Sequence, residues 1–128
     1  MIGRRISRDE RGAAIVEFAL SVPILITFIW GVFQLSLVFE ADAGMQQALG
    51  EAARNATIYP TPTDATIKSK ITAKKFGVQN GTWAEPSIVD GGDGSKLITV
   101  SYSQPLDFLF FEGPDVTLTR SKKVFLSK

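Results

Sequence analysis

Residues 18–39 form an unbroken run without a formal charge, FALSVPILITFIWGVFQLSLVF. Wound as a helix, the run measures about 33 Å, against a bilayer hydrocarbon core of about 30 Å. Ser21, Thr27, Gln34 and Ser36 are only mildly polar, and none is costly enough to veto insertion. Proline removes one helical hydrogen bond at Pro23, which bilayer-spanning helices tolerate. The pattern predicts a membrane-spanning helix over residues 13–39. Past Phe39 the pattern becomes amphipathic and contains no proline up to residue 57. Ala41, Met45, Ala48, Leu49, Ala52, Ala53 and Ala56 recur at three- and four-residue spacing, which marks one apolar helix face. A single helix from about Ala13 to about Ala56 is therefore expected, half of it in lipid. The Ala48, Ala52, Ala56 stripe is assigned to packing against the protein's own sheet. Thr27 and Gly31 give only a loose small-residue pair.

Tyr59-Pro60-Thr61-Pro62 ends this helix. A second helix is expected over residues 65–76, capped by Thr63 or Asp64. Ile67, Ile71 and Phe76 form its apolar side, and Lys68, Lys70, Lys74 and Lys75 a solvated one. Gly77 is its expected stop. The period then changes. Residues 82–89 read as a strand limited or broken by Pro86, residues 90–94 (DGGDG) as a turn, and residues 96–104 alternate, with Ile98, Val100 and Tyr102 on one face. Residues 105–114 (PLDFLFFEGP) read as an apolar loop, and residues 115–126 as a final strand. Together these predict an α+β fold: a long N-terminal helix, a short second helix and a small three-stranded antiparallel sheet.

Charge placement orients the chain. Arg4, Arg5, Arg8 and Arg11 precede the apolar run, offset only by Asp9 and Glu10, whereas Glu40 and Asp42 follow it. Arginine-rich short flanks stay cytoplasmic, so the segment after Phe39 is expected to be exported. A cleaved secretory signal is the rival reading, because Ala41-Asp42-Ala43 has the small-x-small form. The apolar run is, however, longer than the ~7–15 residues of such a signal. The net charge of +1 opposes nucleic-acid binding. The chain has no cysteine and no histidine, which removes thiol chemistry, disulfides, the commonest general base and the commonest metal ligand. A Ser-Lys or carboxylate mechanism would remain, but no such site stands out. We expect no catalysis, no cofactor and no metal. Asp90 and Asp93 lack the alternating ligands and twelfth-position glutamate of a calcium loop.

Two features call for explanation. Leu106, Phe108, Leu109, Phe110 and Phe111 make residues 105–114 unusually apolar. Either this segment closes the small core, or Phe110 and Phe111 form a surface that docks another subunit or dips toward the membrane. The second feature is Glu17, a carboxylate at the start of the membrane helix, which either lies at the interface and reaches headgroup water or, as ionisable groups within membrane helices do by default, serves a function. Gly12 stands five residues before it, giving R-G-A-A-I-V-E-F after a basic segment and before an uninterrupted apolar helix.

That arrangement resembles the processing site of type IV pilins and pseudopilins, in which a prepilin peptidase cuts after the glycine. Residues 11–26, R-G-A-A-I-V-E-F-A-L-S-V-P-I-L-I, are similar to the opening of TadE-like proteins, minor pilins of the tight-adherence (Tad, or Flp) pilus machinery. The resemblance implies cleavage between Gly12 and Ala13, Glu17 as the fifth mature residue and an assembly carboxylate, and Phe18 as the following aromatic of the motif. It implies three parts: a cytoplasmic leader over residues 1–12, a transmembrane half-helix over 13–39, and a periplasmic helix and head over 40–128. It places the chain in a bacterial inner membrane. The implied partners are prepilin peptidase, other minor pilins, major pilin subunits and the Tad inner-membrane platform. The alternative is a signal-anchored periplasmic binding module with no pilus role.

Overall fold

The computed structural model describes residues 10–126. The predicted α+β architecture is observed. Helix α1 (Glu10–Ala56) runs without a break and contains Pro23. Its apolar half returns its hydroxyl donors to its own backbone. Ser21 donates to the Glu17 carbonyl at 2.8 Å, Thr27 to that of Pro23 at 2.8 Å, and Ser36 to that of Val32 at 3.0 Å. Such back-bonding hides the hydroxyls from lipid.

All seven residues of the predicted distal stripe, Ala41, Met45, Ala48, Leu49, Ala52, Ala53 and Ala56, are buried. They pack with Ile67, Ile71, Ile98, Val100, Tyr102 and Val124 in one core. The stripe's small side chains let the sheet lie close to the helix. Helix α2 (Asp64–Lys74) begins at Thr63, whose hydroxyl accepts the Thr66 N–H at 3.3 Å, and presents Ile67 and Ile71 to the same core. It ends before Gly77, which adopts φ +69° where the chain passes the Glu40 backbone.

The sheet comprises β1 (Thr82–Trp83), β2 (Ser87–Asp90), β3 (Ser95–Phe108) and β4 (Phe111–Phe125), with β1, β2 and β4 all antiparallel to β3. It has four strands rather than three because the segment around Pro86 is divided into β1 and β2, which line the same edge of β3. The β2–β3 turn uses Gly92 at φ +75° and Gly94 at φ +78°, conformations that side chains disfavour. In β3, Ile98, Val100, Tyr102, Gln104 and Leu106 face the core. Thr99, Ser101 and Ser103 face outward and pair with Ser121, Thr119 and Thr117.

The expected loop over residues 105–114 is corrected. β3 continues through Pro105 to Phe108, turns at Leu109-Phe110, and returns as β4 from Phe111. A register shift between Pro105 and Asp107 absorbs the irregularity near Pro114. Of this segment Leu106 is buried, whereas Leu109, Phe110 and Phe111 are exposed.

Candidate functional site

Two regions carry the candidate residues. The first is the start of α1, with Gly12, Ala13, Glu17 and Phe18 all in its opening turns. Ala13 and Glu17 are four residues apart, about one helical turn, and so share a face. Arg4, Arg5 and Arg8, with most of the expected leader, lie outside the described residues. Among the described residues, the Glu17 carboxylate has no hydrogen-bond or salt-bridge partner, and its backbone carbonyl accepts from Ser21. Phe18 is exposed, as are Ile15, Val16, Leu20, Ile24, Leu25, Phe28 and Ile29. These positions surround the helix. A helix apolar on every side belongs in a lipid phase or a bundle. α1 is thus a candidate membrane anchor by length and composition.

The second region is the tip of the β3–β4 hairpin, which reaches back along the apolar half of α1. The Asp107 carbonyl accepts two hydrogen bonds of 2.7 Å, from Trp30 Nε1 and from Gln34 Nε2. The Phe108 ring enters a slot between two glycines. A Cβ on Gly31 would lie 3.1 Å from it, and one on Gly113 would lie 2.7 Å from it. Gly31 thus leaves room for the Phe108 ring. Phe108 also stacks on Phe111, with ring centroids 5.0 Å apart. Beside the rings, an open groove of about 540 Å³ is lined by Ile24, Thr27, Phe28, Val32, Phe108 and Phe111 among others. Phe110 stands at the turn and joins none of these contacts.

The sequence did not single out Trp30, Gln34 and Asp107. Gln34 is buried although it lies in the apolar run. It is the only carboxamide among residues 18–39, and Trp30 the only tryptophan there, which was the available signal. At the far end of β4, Arg120 Nε donates to Asp42 at 2.6 Å and ties the sheet to α1. Among the described residues no cluster of histidine, cysteine, aspartate and glutamate has the arrangement of a metal site.

In these elements a candidate membrane helix continues without interruption into the core of an α+β head. A family model described as TadE-like protein matches residues 12–54. The likeness read from residues 11–26 thus extends along nearly all of α1, over which the chain is similar to TadE-like proteins. The match opens at Gly12 and ends in the last turn of α1. No curated protein and no solved structure shows a significant match to the chain.

Proposed function

We propose that this protein is a minor pilin, or pseudopilin, that supports assembly of a Tad (Flp-type) pilus used in surface adherence, and that its role is structural rather than catalytic. The observation that carries the reading is Glu17: the only charge among residues 12–39, on an exposed face of a continuous helix, one turn beyond the Gly12–Ala13 bond. The family match over residues 12–54 supports it.

In this reading prepilin peptidase removes residues 1–12 on the cytoplasmic side and leaves the Ala13 amine near the membrane. The head is periplasmic. When the helix leaves lipid to join others, the Glu17 carboxylate meets the terminal amine of a neighbouring pilin. In a low-dielectric bundle that pairing is far stronger than in water, and an unpaired charge is penalised. Minor and major pilins and the inner-membrane platform are the partners.

N-terminal sequencing of the protein from its native host tests the processing step. The expected start is Ala13. An intact Met1, or a start at Gly44 as for a secreted binding module, overturns the reading. In the same host Glu17→Ala should be processed and inserted yet fail to support piliation, whereas normal piliation would refute the role given to the carboxylate.

A further inference from the structure

We propose that the tip of the β3–β4 hairpin is a lipid wedge. Leu109, Phe110 and Phe111 enter the leaflet nearest the head, and that leaflet's water boundary crosses α1 at Trp30 and Gln34 rather than at Phe39. The proposal rests on the membrane-anchor reading of the apolar half of α1.

The hairpin is fixed against the helix at a known level. Trp30 and Gln34 together hold the Asp107 carbonyl, and Phe108 sits on Gly31. Everything beyond Asp107 therefore extends alongside the apolar segment. Two more strand residues carry the tip about 7 Å further. On the helix, the four residues from Gly31 down to Thr27 span about 6 Å. The strand reach corresponds to that step along the helix, which puts the turn near the level of Thr27 and Phe28.

The surfaces at that level are apolar and uncovered. Leu109 is 51%, Phe110 68% and Phe111 58% exposed, and on the helix Ile24 and Phe28 are 72% and 69% exposed. The groove between hairpin and helix offers Thr27 as its only polar side chain, and that hydroxyl is already committed to Pro23. A headgroup has nothing to bind there, whereas an acyl chain does.

Charge fixes how deep the tip can go. Asp107 and Glu112 face each other one step behind Phe108 and Phe111, and Asp115 follows; all three are exposed. Ionised carboxylates are expensive in hydrocarbon. A boundary at Phe39 would lie about 13 Å beyond Trp30 along the helix and would submerge all three. A boundary at Trp30 leaves them in water and places an indole where amphipathic rings prefer to sit. The shorter span still suffices, since residues 13–30 measure about 27 Å as a helix, within the range for a single crossing.

The chain contains no cysteine, so one substitution gives a unique thiol. Phe110→Cys, Ser36→Cys and Lys122→Cys replace exposed residues and should leave the fold intact. Each full-length variant is labelled with bimane and reconstituted into phosphatidylethanolamine–phosphatidylglycerol vesicles carrying a nitroxide on the acyl chain. The expected result is loss of fluorescence and a blue-shifted emission at position 110, with positions 36 and 122 unquenched. A solvent-like, unquenched label at 110 in vesicle-bound protein overturns the wedge. Quenching at 36 as strong as at 110 overturns the boundary. Shielding at 110 only after other pilin subunits are added assigns the tip to subunit docking and likewise overturns it. A chain that does not float with the vesicles sinks the anchor reading itself, a separate signal.

Discussion

Gly44 lies on the packed face of α1 where no side chain fits. A Cβ there would stand 1.9 Å from the Phe76 carbonyl oxygen and 2.8 Å from its carbon. Glycine within a helix costs about 1 kcal/mol relative to alanine, so on propensity alone the position invites replacement. The obstruction, however, is backbone of the segment between α2 and β1, and overpacking of this kind costs about 1–3 kcal/mol. Gly50, further along the same helix, has no atom within 4 Å of its would-be Cβ. We therefore expect opposite signs. Gly44→Ala should lower the melting temperature of the head by about 5 °C or more, and Gly50→Ala should raise it by a few degrees. Equal shifts of the same sign would mean that backbone propensity, not the Phe76 contact, governs both sites. This contrast was not legible in the sequence, because the partner of Gly44 lies on a different element. Glu17 was legible because its anomaly is local: one charge in an apolar run.

At the scale of elements, β3 was readable and its hairpin with β4 was not. The alternation of Ile98, Val100 and Tyr102 with Thr99, Ser101 and Ser103 registers which face is buried, and both faces are as the period demands. Residues 105–114 broke that signal with two prolines and a run of aromatics. Prolines usually exclude a ladder, but here a register shift accommodates them. The tip's real partner is α1, some 75 residues earlier, through Trp30 and Gln34. No local pattern records such a contact. The opposite end of the same pair of strands is tied by charge. Lys123 Nζ lies 2.8 Å from the Asp93 carboxylate, and Ser95 donates to it from both hydroxyl and backbone. Lys123, and after it Ser95, hold Asp93 well below the usual carboxylate range. The stabilisation is thus complete above the unfolded value of about 3.9 and is lost as the pH falls through the depressed folded one. Both side chains are half-exposed, so solvent screening keeps the effect small. Asp93→Asn should melt below wild type by about one to three degrees at pH 6, and the gap should narrow as the pH falls toward 2. A gap that persists unchanged at pH 2 would show that the turn's shape, not the carboxylate's charge, sets the difference.

For the whole molecule, the continuity of α1 decides what can be separated from what. The first half of the helix gives the head's core nothing, whereas the second half contributes Ala41, Met45, Ala48, Leu49, Ala52, Ala53 and Ala56 to it. A chain beginning at Glu40 keeps every one of these. It also keeps the Asp42–Arg120 pair that fastens β4 to the helix. What it loses is Trp30, Gly31 and Gln34, and with them the seat of the hairpin. The expected outcome is a soluble head that unfolds cooperatively, with amide hydrogens of residues 106–113 exchanging faster than in the full-length chain in detergent, and those of residues 96–104 unchanged. A chain beginning at Thr57 should not fold, because seven of the core side chains leave with the helix. If residues 40–128 instead collapsed without cooperative unfolding, the hairpin's contact with the apolar half of α1 would be part of the folding unit, and anchor and head would be one body thermodynamically as well as geometrically.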